Sequence, residues 1–157
     1  MPRTLRTALC TAALVFLVTS GSATAATQAE REAALLDAVN RTRAAHGLQP
    51  LQLDSRLRLA ARHHSGTMLR HNAFAHGAVR ARLASYGAQG PRFGENLAWG
   101  VGSRAAATNI VRVWMSTPSH RANLLRPGFR RIGIGAVIGT FAGYRGATVV
   151  TANFAGS

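Results

Sequence analysis

The chain has 157 residues, with 19 basic residues against 5 acids, a formal net charge of +14 and a single cysteine. That length suits one domain, and one cysteine excludes a disulfide framework. A field of this size favours anionic surfaces or polymers, yet every basic residue is Arg and none is Lys, the bias that G+C-rich coding produces, and with no block of basic residues and no nucleic-acid motif we expect no nucleic-acid partner.

At the N-terminus Arg3 and Arg6 precede an apolar run from Ala8 to Val18, and Ala23-Thr24-Ala25 forms an A-x-A site. This is the order of a secretory signal peptide, and the run is too short for a comfortable membrane span. The expectation is a signal peptide over residues 1–25 and one exported domain over residues 26–157, with no stable membrane span after cleavage. Cys10 leaves with the signal, so the exported domain must be stabilised by its core alone. It keeps 17 Arg against 5 acids, a net charge of +12.

From Glu30 to His46 the pattern is helical, with Leu35, Leu36 and Val39 on one stripe and Gly47 ending it ahead of Pro50. Asn40 and Arg43 lie at i and i+3 beside that stripe, which points to bonds with neighbouring backbone, a structural role. A second helix starts at Asp54 or Ser55, either a good N-cap. Leu57, Ala60, Ala61, His64 and Met68 follow its spacing, so His64 reads as a hydrogen-bonded core histidine, while His63 and His71 read as surface residues. Asn72 to Gly77 is a loop, and Ala78 to Tyr86 a short helix stopped by Gly87. Gly90-Pro91 opens an extended segment through Gly100. Ser103 is expected to cap a third long helix carrying Ala107, Ile110, Val111, Trp114 and Met115 inward. After a turn at Pro118 and a short helical piece come two strands, Arg131 to Ile138 and Ala147 to Phe154, joined by a long hairpin loop from Gly139 to Gly146. Helices first and strands last define an α+β class, helices packed on an antiparallel sheet.

Three stretches carry chemistry: Phe74-Ala75-His76, Phe93-Gly94-Glu95-Asn96-Leu97, and Ser119-His120-Arg121 after the Pro118 break. Glu95 is the only acid between Ser55 and Ser157, against 14 Arg. Set between Gly94 and Asn96 with aromatic neighbours, it is expected to be partly buried, and a buried charge must be paired or hydrogen-bonded. His76, His120 and Arg43 are its natural partners. Two readings stand side by side. Two His and one Glu could line a cleft that holds a divalent metal or a polarised water, or they could form a buried ion-pair network that pins loops.

Taken in order, Asn40-x-x-Arg43, Phe74-x-His76, Gly94-Glu95-Asn96-Leu97, Trp114-Met115 with Ser119-His120-Arg121-x-Asn123-Leu124-Leu125, and Ile132-Gly133-Ile134-Gly135 resemble the CAP superfamily. That superfamily holds cysteine-rich secretory proteins, insect venom antigens and plant pathogenesis-related proteins. The resemblance is closest to the short bacterial branch and covers about Ala33 to Phe154. It implies an α-β-α sandwich with a central antiparallel sheet and a cleft lined by two His and two Glu, where some members bind zinc or another divalent metal. By motif, His76 and His120 match the His pair and Glu95 the first Glu, while Asn40, Arg43, Asn96 and Asn123 take structural polar roles. Thr117 stands where the second Glu usually lies, and the cysteine-bearing C-terminal motif of animal and plant members is missing.

Three functions follow as expectations. The first is a secreted binding module, in the cell envelope or outside, whose cleft takes a small apolar ligand or an envelope ligand. The second is a metal-dependent hydrolase with His76 and His120 as ligands and Glu95 as catalytic base. The third is a cationic protein that attaches to anionic cell-envelope polymers through Arg.

Overall fold

The computed structural model describes residues 26–156, so the predicted signal peptide lies outside the described residues. The first helix, α1 (Gln28–Ala45), starts on a reciprocal cap. Thr27 Oγ1 accepts from the Glu30 N–H at 3.2 Å, and the Glu30 carboxylate accepts from the Thr27 N–H at 2.6 Å. Asp54 starts α2 (Ser55–His71) in the same spirit, accepting from the N–H groups of Arg56 and Leu57 at 2.9 and 3.0 Å. Asn72 ends that helix in the left-handed conformation, φ 47°. The remaining helices are α3 (Val79–Ser85), α4 (Ala107–Ser116) and α5 (Pro118–Leu124).

Four strands form one sheet in the order β1-β3-β4-β2: β1 (Gln52–Leu53), β2 (Phe93–Gly100), β3 (Phe129–Phe141) and β4 (Tyr144–Gly156). The β2–β4 and β3–β4 pairs are antiparallel, and the two-residue β1, which the sequence pattern did not reveal, runs parallel to β3.

Alternation along β3 and β4 sends side chains to two different helical layers. Ile132, Ile134, Ala136, Val150, Ala152 and Phe154 pack with Leu35, Val39, Val111 and Trp114 of α1 and α4. On the opposite face, Ala155 joins Leu57, Ala60 and Leu83 of α2 and α3, and Val149 joins Met68. The result is an α–β–α sandwich. Its tightest layer contact has a sequence cause in Gly133 and Gly135. A Cβ at Gly133 would lie 2.1 Å from the backbone of α2 at Leu57 and Arg58, and one at Gly135 would lie 2.4 Å from Ala61.

Two local expectations are corrected. The long Gly139–Gly146 loop does not exist: the strands continue to Phe141 and from Tyr144, leaving Ala142-Gly143 as a two-residue turn. Both turn residues have positive φ, 49° and 83°, as tight hairpin turns that follow the strand twist require. The Ala142 N–H also donates to Asn72 Oδ1 at 2.7 Å, tying the turn to the end of α2. Nor does Ser103 cap the third long helix. Residues Gly102–Ala105 form a 3-10 turn, α4 begins only at Ala107, and the Ser103 carbonyl accepts from Asn109 Nδ2 at 2.6 Å.

Candidate functional site

Strand β2 lies at the edge of the sheet, where consecutive residues face opposite layers. Glu95, opposite Asn153 of β4, shares the face of Leu97, toward α2 and α3. Asn96 points the other way, toward α5. This alternation places two polar neighbours of one strand against two different segments that bear histidines.

On the Asn96 side, its Nδ2 donates to the carbonyl of His120 at 3.0 Å, and its Oδ1 accepts from Asn123 Nδ2 at 2.9 Å. Asn123 Nδ2 also lies 3.2 Å from the Glu95 carbonyl. Gly94 is required for this approach, since a Cβ there would come within 2.7 Å of Asn123 Oδ1. The helix that carries His120 is held from both ends. Pro118 sits in its first turn, where the missing N–H costs nothing. Near its other end, the fully buried Arg43 donates to the carbonyls of Leu124, Arg126, Gln49 and Phe129, at 2.7, 3.2, 2.9 and 3.4 Å. Burial pulls the Arg43 pKa below the ordinary arginine value, and the nearby Arg130 adds to this. Asn40 closes a two-way amide bond with the backbone of Leu51, at 3.1 and 2.8 Å. Trp114 Nε1 donates to the Leu97 carbonyl at 2.9 Å, which fixes α4 on β2.

On the other side the Glu95 carboxylate is nearly sealed, its side chain 2% exposed. His76 Nδ1 donates to Oε1 at 2.8 Å, and the Arg82 guanidinium to Oε2. Arg82 also donates to the His76 carbonyl at 3.0 Å, so one arginine of α3 closes a ring around the pair. The His76 ring itself is half exposed, at 52%. His64, buried on α2, bonds the Ala75 carbonyl through Nε2 at 3.0 Å and so holds the loop leading into His76. Burial lowers the His64 pKa, and the Arg82 charge lowers it further.

The partners expected for Glu95 are thus divided. His76 bonds the carboxylate, Arg43 is engaged by carbonyls elsewhere, and His120 meets β2 only through its backbone. Arg82 was missed. The signal was there in part, because a single buried acid among so many arginines must find one, but no spacing distinguishes Arg82 from Arg80 before the loop is folded. His120 keeps its Nδ1 buried without a hydrogen-bond partner. Burial holds its pKa below the usual imidazole value, with the nearby His76 charge adding to the effect. At the position of the second acid, Thr117 turns its hydroxyl back onto the Val113 carbonyl, at 3.2 Å. Among the described residues no three His, Cys, Asp or Glu side chains converge as a metal-binding group. Of the residues expected at a metal, His76 bonds the Glu95 carboxylate through Nδ1, and His120 carries the unpartnered ring nitrogen.

A three-layer sandwich whose edge strand carries Gly-Glu-Asn between two histidine-bearing segments defines a domain of the secretory-protein type. The chain belongs to the CAP family, the cysteine-rich secretory protein family, whose profile matches residues 36–154. An uncharacterized protein of Bacillus subtilis, YkwD, is 34% identical over 111 residues, 68% of this chain and 42% of its own length. A second, the uncharacterized membrane protein YlbC of the same organism, is 31% identical over 69% of this chain and 32% of its own. The chain thus spans less than half the length of these curated relatives. Among solved structures, an extracellular protein containing an SCP domain from Bacillus anthracis is 25% identical with a TM-score of 0.71, over 83% of this chain and 41% of that one. An outer surface protein of Borrelia burgdorferi has the same fold, with a TM-score of 0.71 at 18% identity over 84% of this chain and 97% of that chain.

Proposed function

We propose that this protein works outside the cell as a binding module, with a cleft at His76, Glu95 and His120 that takes a small apolar ligand or an envelope ligand. An extracellular location is supported by the order of charged, apolar and small residues at the N-terminus and by the extracellular Bacillus anthracis protein of similar sequence and fold. The observation that carries the choice of binding over catalysis is the state of Glu95. Both of its oxygens already accept from His76 and Arg82 and its side chain is 2% exposed, so it is poorly placed to reach the proton of a substrate or an attacking water, as a general base must. With Thr117 in place of a second acid, no other carboxylate takes up the task.

A second reading has its own support. The buried, partnerless Nδ1 of His120 is the kind of orphan a ligand satisfies. His76 and His120 would hold zinc or another divalent ion, which would supply a Lewis acid and an activated water there. Catalytic zinc normally has three protein ligands, so the two imidazoles favour occupancy over turnover.

One set of measurements tests both. Purified residues 26–157 would be titrated with fluorescent sterol and fatty-acid analogues, assayed for bound metal with and without His76→Ala and His120→Ala, and screened for ester and peptide hydrolysis with added zinc. The binding reading expects saturable probe uptake that His120→Trp diminishes by filling the cleft, and no turnover. Hydrolysis abolished by Glu95→Gln with an unchanged melt would make the protein an enzyme.

A further inference from the structure

A cluster of aromatic rings is left uncovered at one end of the sheet, on its α2 side. Leu97 of β2 packs there with Met68 and Phe141, while Ala98, the next residue, packs into the opposite layer. Trp99 returns to the α2 side and meets the ring of buried Phe141 edge-on at 5.4 Å. Phe74, from the loop after α2, meets the same ring edge-on at 6.1 Å. Tyr144, opposite Phe141 across the hairpin turn, lies 5.9 Å from Trp99. Phe74, Trp99 and Tyr144 are 45%, 37% and 55% exposed, so three open rings share one buried support. A contiguous exposed patch of this kind marks an interaction surface, which single exposed residues such as Leu59 and Val113 do not.

Two further features show what this end suits. The first is its backbone. The Ala142-Gly143 turn projects between Phe141 and Tyr144, and the Ala142 N–H already donates to Asn72 Oδ1 at 2.7 Å. Asn72 and Ala73 donate their own N–H groups to the carbonyls of Leu69 and Met68, at 3.2 and 3.0 Å. These donors stay paired when the turn leaves water for a less polar layer, where a free N–H is costly. The second feature is charge. Arg145 follows Tyr144, and Arg70 and His71 stand in the last turn of α2, whose cap Asn72 holds the hairpin turn. All five acids are engaged elsewhere, four with Arg41, Arg62, Arg82 and Arg131, and Glu30 in the cap of α1. Asp54 shares α2 with Arg70 but starts its opposite end, about 25 Å away at the helical rise.

Exposed rings beside cations that no acid offsets suit a partner that is apolar within and anionic at its face. A soluble polyanion would satisfy the arginines and leave the rings in water. A folded protein would need a surface shaped to the projecting turn, whereas a lipid layer yields to it. We propose that the Phe74–Trp99–Tyr144 end docks on an anionic lipid layer, its rings at headgroup depth and Arg70 and Arg145 against lipid phosphates. The contact is peripheral, and no described helix is long and apolar enough to cross a membrane. It does not depend on what the His76–Glu95–His120 cleft binds. Trp99 reports the contact, because the only other tryptophan, Trp114, is fully buried with its Nε1 bonded.

The test is binding of residues 26–157 to vesicles of phosphatidylcholine alone and of equal parts phosphatidylcholine and phosphatidylglycerol, read by co-sedimentation and tryptophan emission. We expect at least tenfold tighter binding to the mixed vesicles, a blue shift of Trp99 emission, and quenching by brominated phosphatidylcholine. Phe74→Ser/Tyr144→Ser should weaken binding at least tenfold, and Arg70→Gln/Arg145→Gln severalfold, each with an unchanged circular dichroism spectrum. Leu59→Ser/Val113→Ser and Arg121→Gln/Arg130→Gln change exposed apolar and basic residues elsewhere, and should bind within twofold of the parent. Sedimentation velocity of parent and aromatic variant asks whether a second copy covers the patch instead. The proposal is overturned by any of four results: no binding to the mixed vesicles, binding with neither blue shift nor bromine quenching, equal losses in the control variants, or a parent dimer that Phe74→Ser/Tyr144→Ser converts to monomer.

Discussion

At Glu95, structural and catalytic roles make opposite demands on one carboxylate, and the ion pair with Arg82 favours the structural one. The Glu95 side chain is buried and that of Arg82 mostly so, at 2% and 12% exposure, and removing one partner of a buried pair costs about 3–5 kcal/mol because the other charge is stranded. Glu95→Gln is nearly isosteric yet strands Arg82, so it should destabilise by about 3 kcal/mol in denaturant melts, and Glu95→Ala by somewhat more. Adding Arg82→Met to Glu95→Gln should recover part of that loss, a coupling that a double-mutant cycle reads directly. An unchanged Glu95→Gln melt would contradict the ion-pair account. Two imidazoles, that of buried His64 and that of half-buried His120, make a second prediction. His120 and His64 are both held below the ordinary value of 6.5, chiefly by burial. As pH falls through 6.5 the unfolded chain takes up protons that the folded chain refuses, so stability declines from about pH 7 toward the lowered folded pKa values; above pH 7 neither state is charged and the contribution vanishes. Melting midpoints from pH 7.5 to 5 should therefore fall, with a shallower slope in His120→Gln, and a flat parent profile would contradict it. Residue chemistry was legible where composition isolated it. A lone acid in an arginine-rich chain stands out, whereas its arginine partner does not, because α3 meets β2 only in the folded chain.

Elements were easier to read than their boundaries, and the two hairpin strands show why. Gly139, Thr140 and Tyr144 resemble loop residues, yet the pleat carries through them with a register shift between Gly139 and Phe141. The turn itself falls on Ala142, a residue with no particular liking for positive φ. That mismatch can be tested. Ala142→Asn creates an Asn-Gly turn, which suits two consecutive positive φ angles, and should raise stability by about 0.5–1 kcal/mol by melt. A lower midpoint would mean that the side chain at this position packs in a way the turn geometry does not show. The alternation of Gly133 and Gly135 with isoleucines was visible as a strand, but its purpose was not, because it depends on how closely α2 approaches. Ala at either position would press a methyl into helix backbone, which cannot yield as a side-chain tip can. Overpacking costs about 1–3 kcal/mol and occasionally more, and we expect the upper end or failure to fold for Gly135→Ala. Gly128→Ala, with nothing within 4 Å, is the control and should stay within about 0.5 kcal/mol of the parent. Soluble yield and urea melts of the three variants would separate these outcomes, and similar losses at all three would place the cost in the backbone instead of in the contact with α2.

For the whole molecule the governing quantity is charge. Residues 26–157 carry +12, and the acids that might have offset the arginines locally are already held in four ion pairs and one helix cap. The remaining guanidiniums project a field that attracts polyanions without selecting among them. If this general attraction governs attachment to an anionic cell envelope, adding salt must weaken it, since the screening length shrinks from about 10 Å at 0.1 M to about 3 Å at 1 M. Retention of residues 26–157 on isolated cell wall should therefore fall severalfold between about 0.05 and 0.5 M sodium chloride, and charge-matched removal of exposed arginines at any site should lower it in proportion to the charge removed. A pocket-centred attachment predicts a different pattern. Retention would respond to the arginines of one site far more than to the rest, and a salt-resistant fraction would survive because partly buried contacts are screened less than exposed ones. A wall pull-down across salt, repeated on the single arginine variants, distinguishes the two. Uniform, salt-erased losses would assign attachment to the field of the whole surface. Retention that is absent at low salt would remove envelope attachment from the account of this protein.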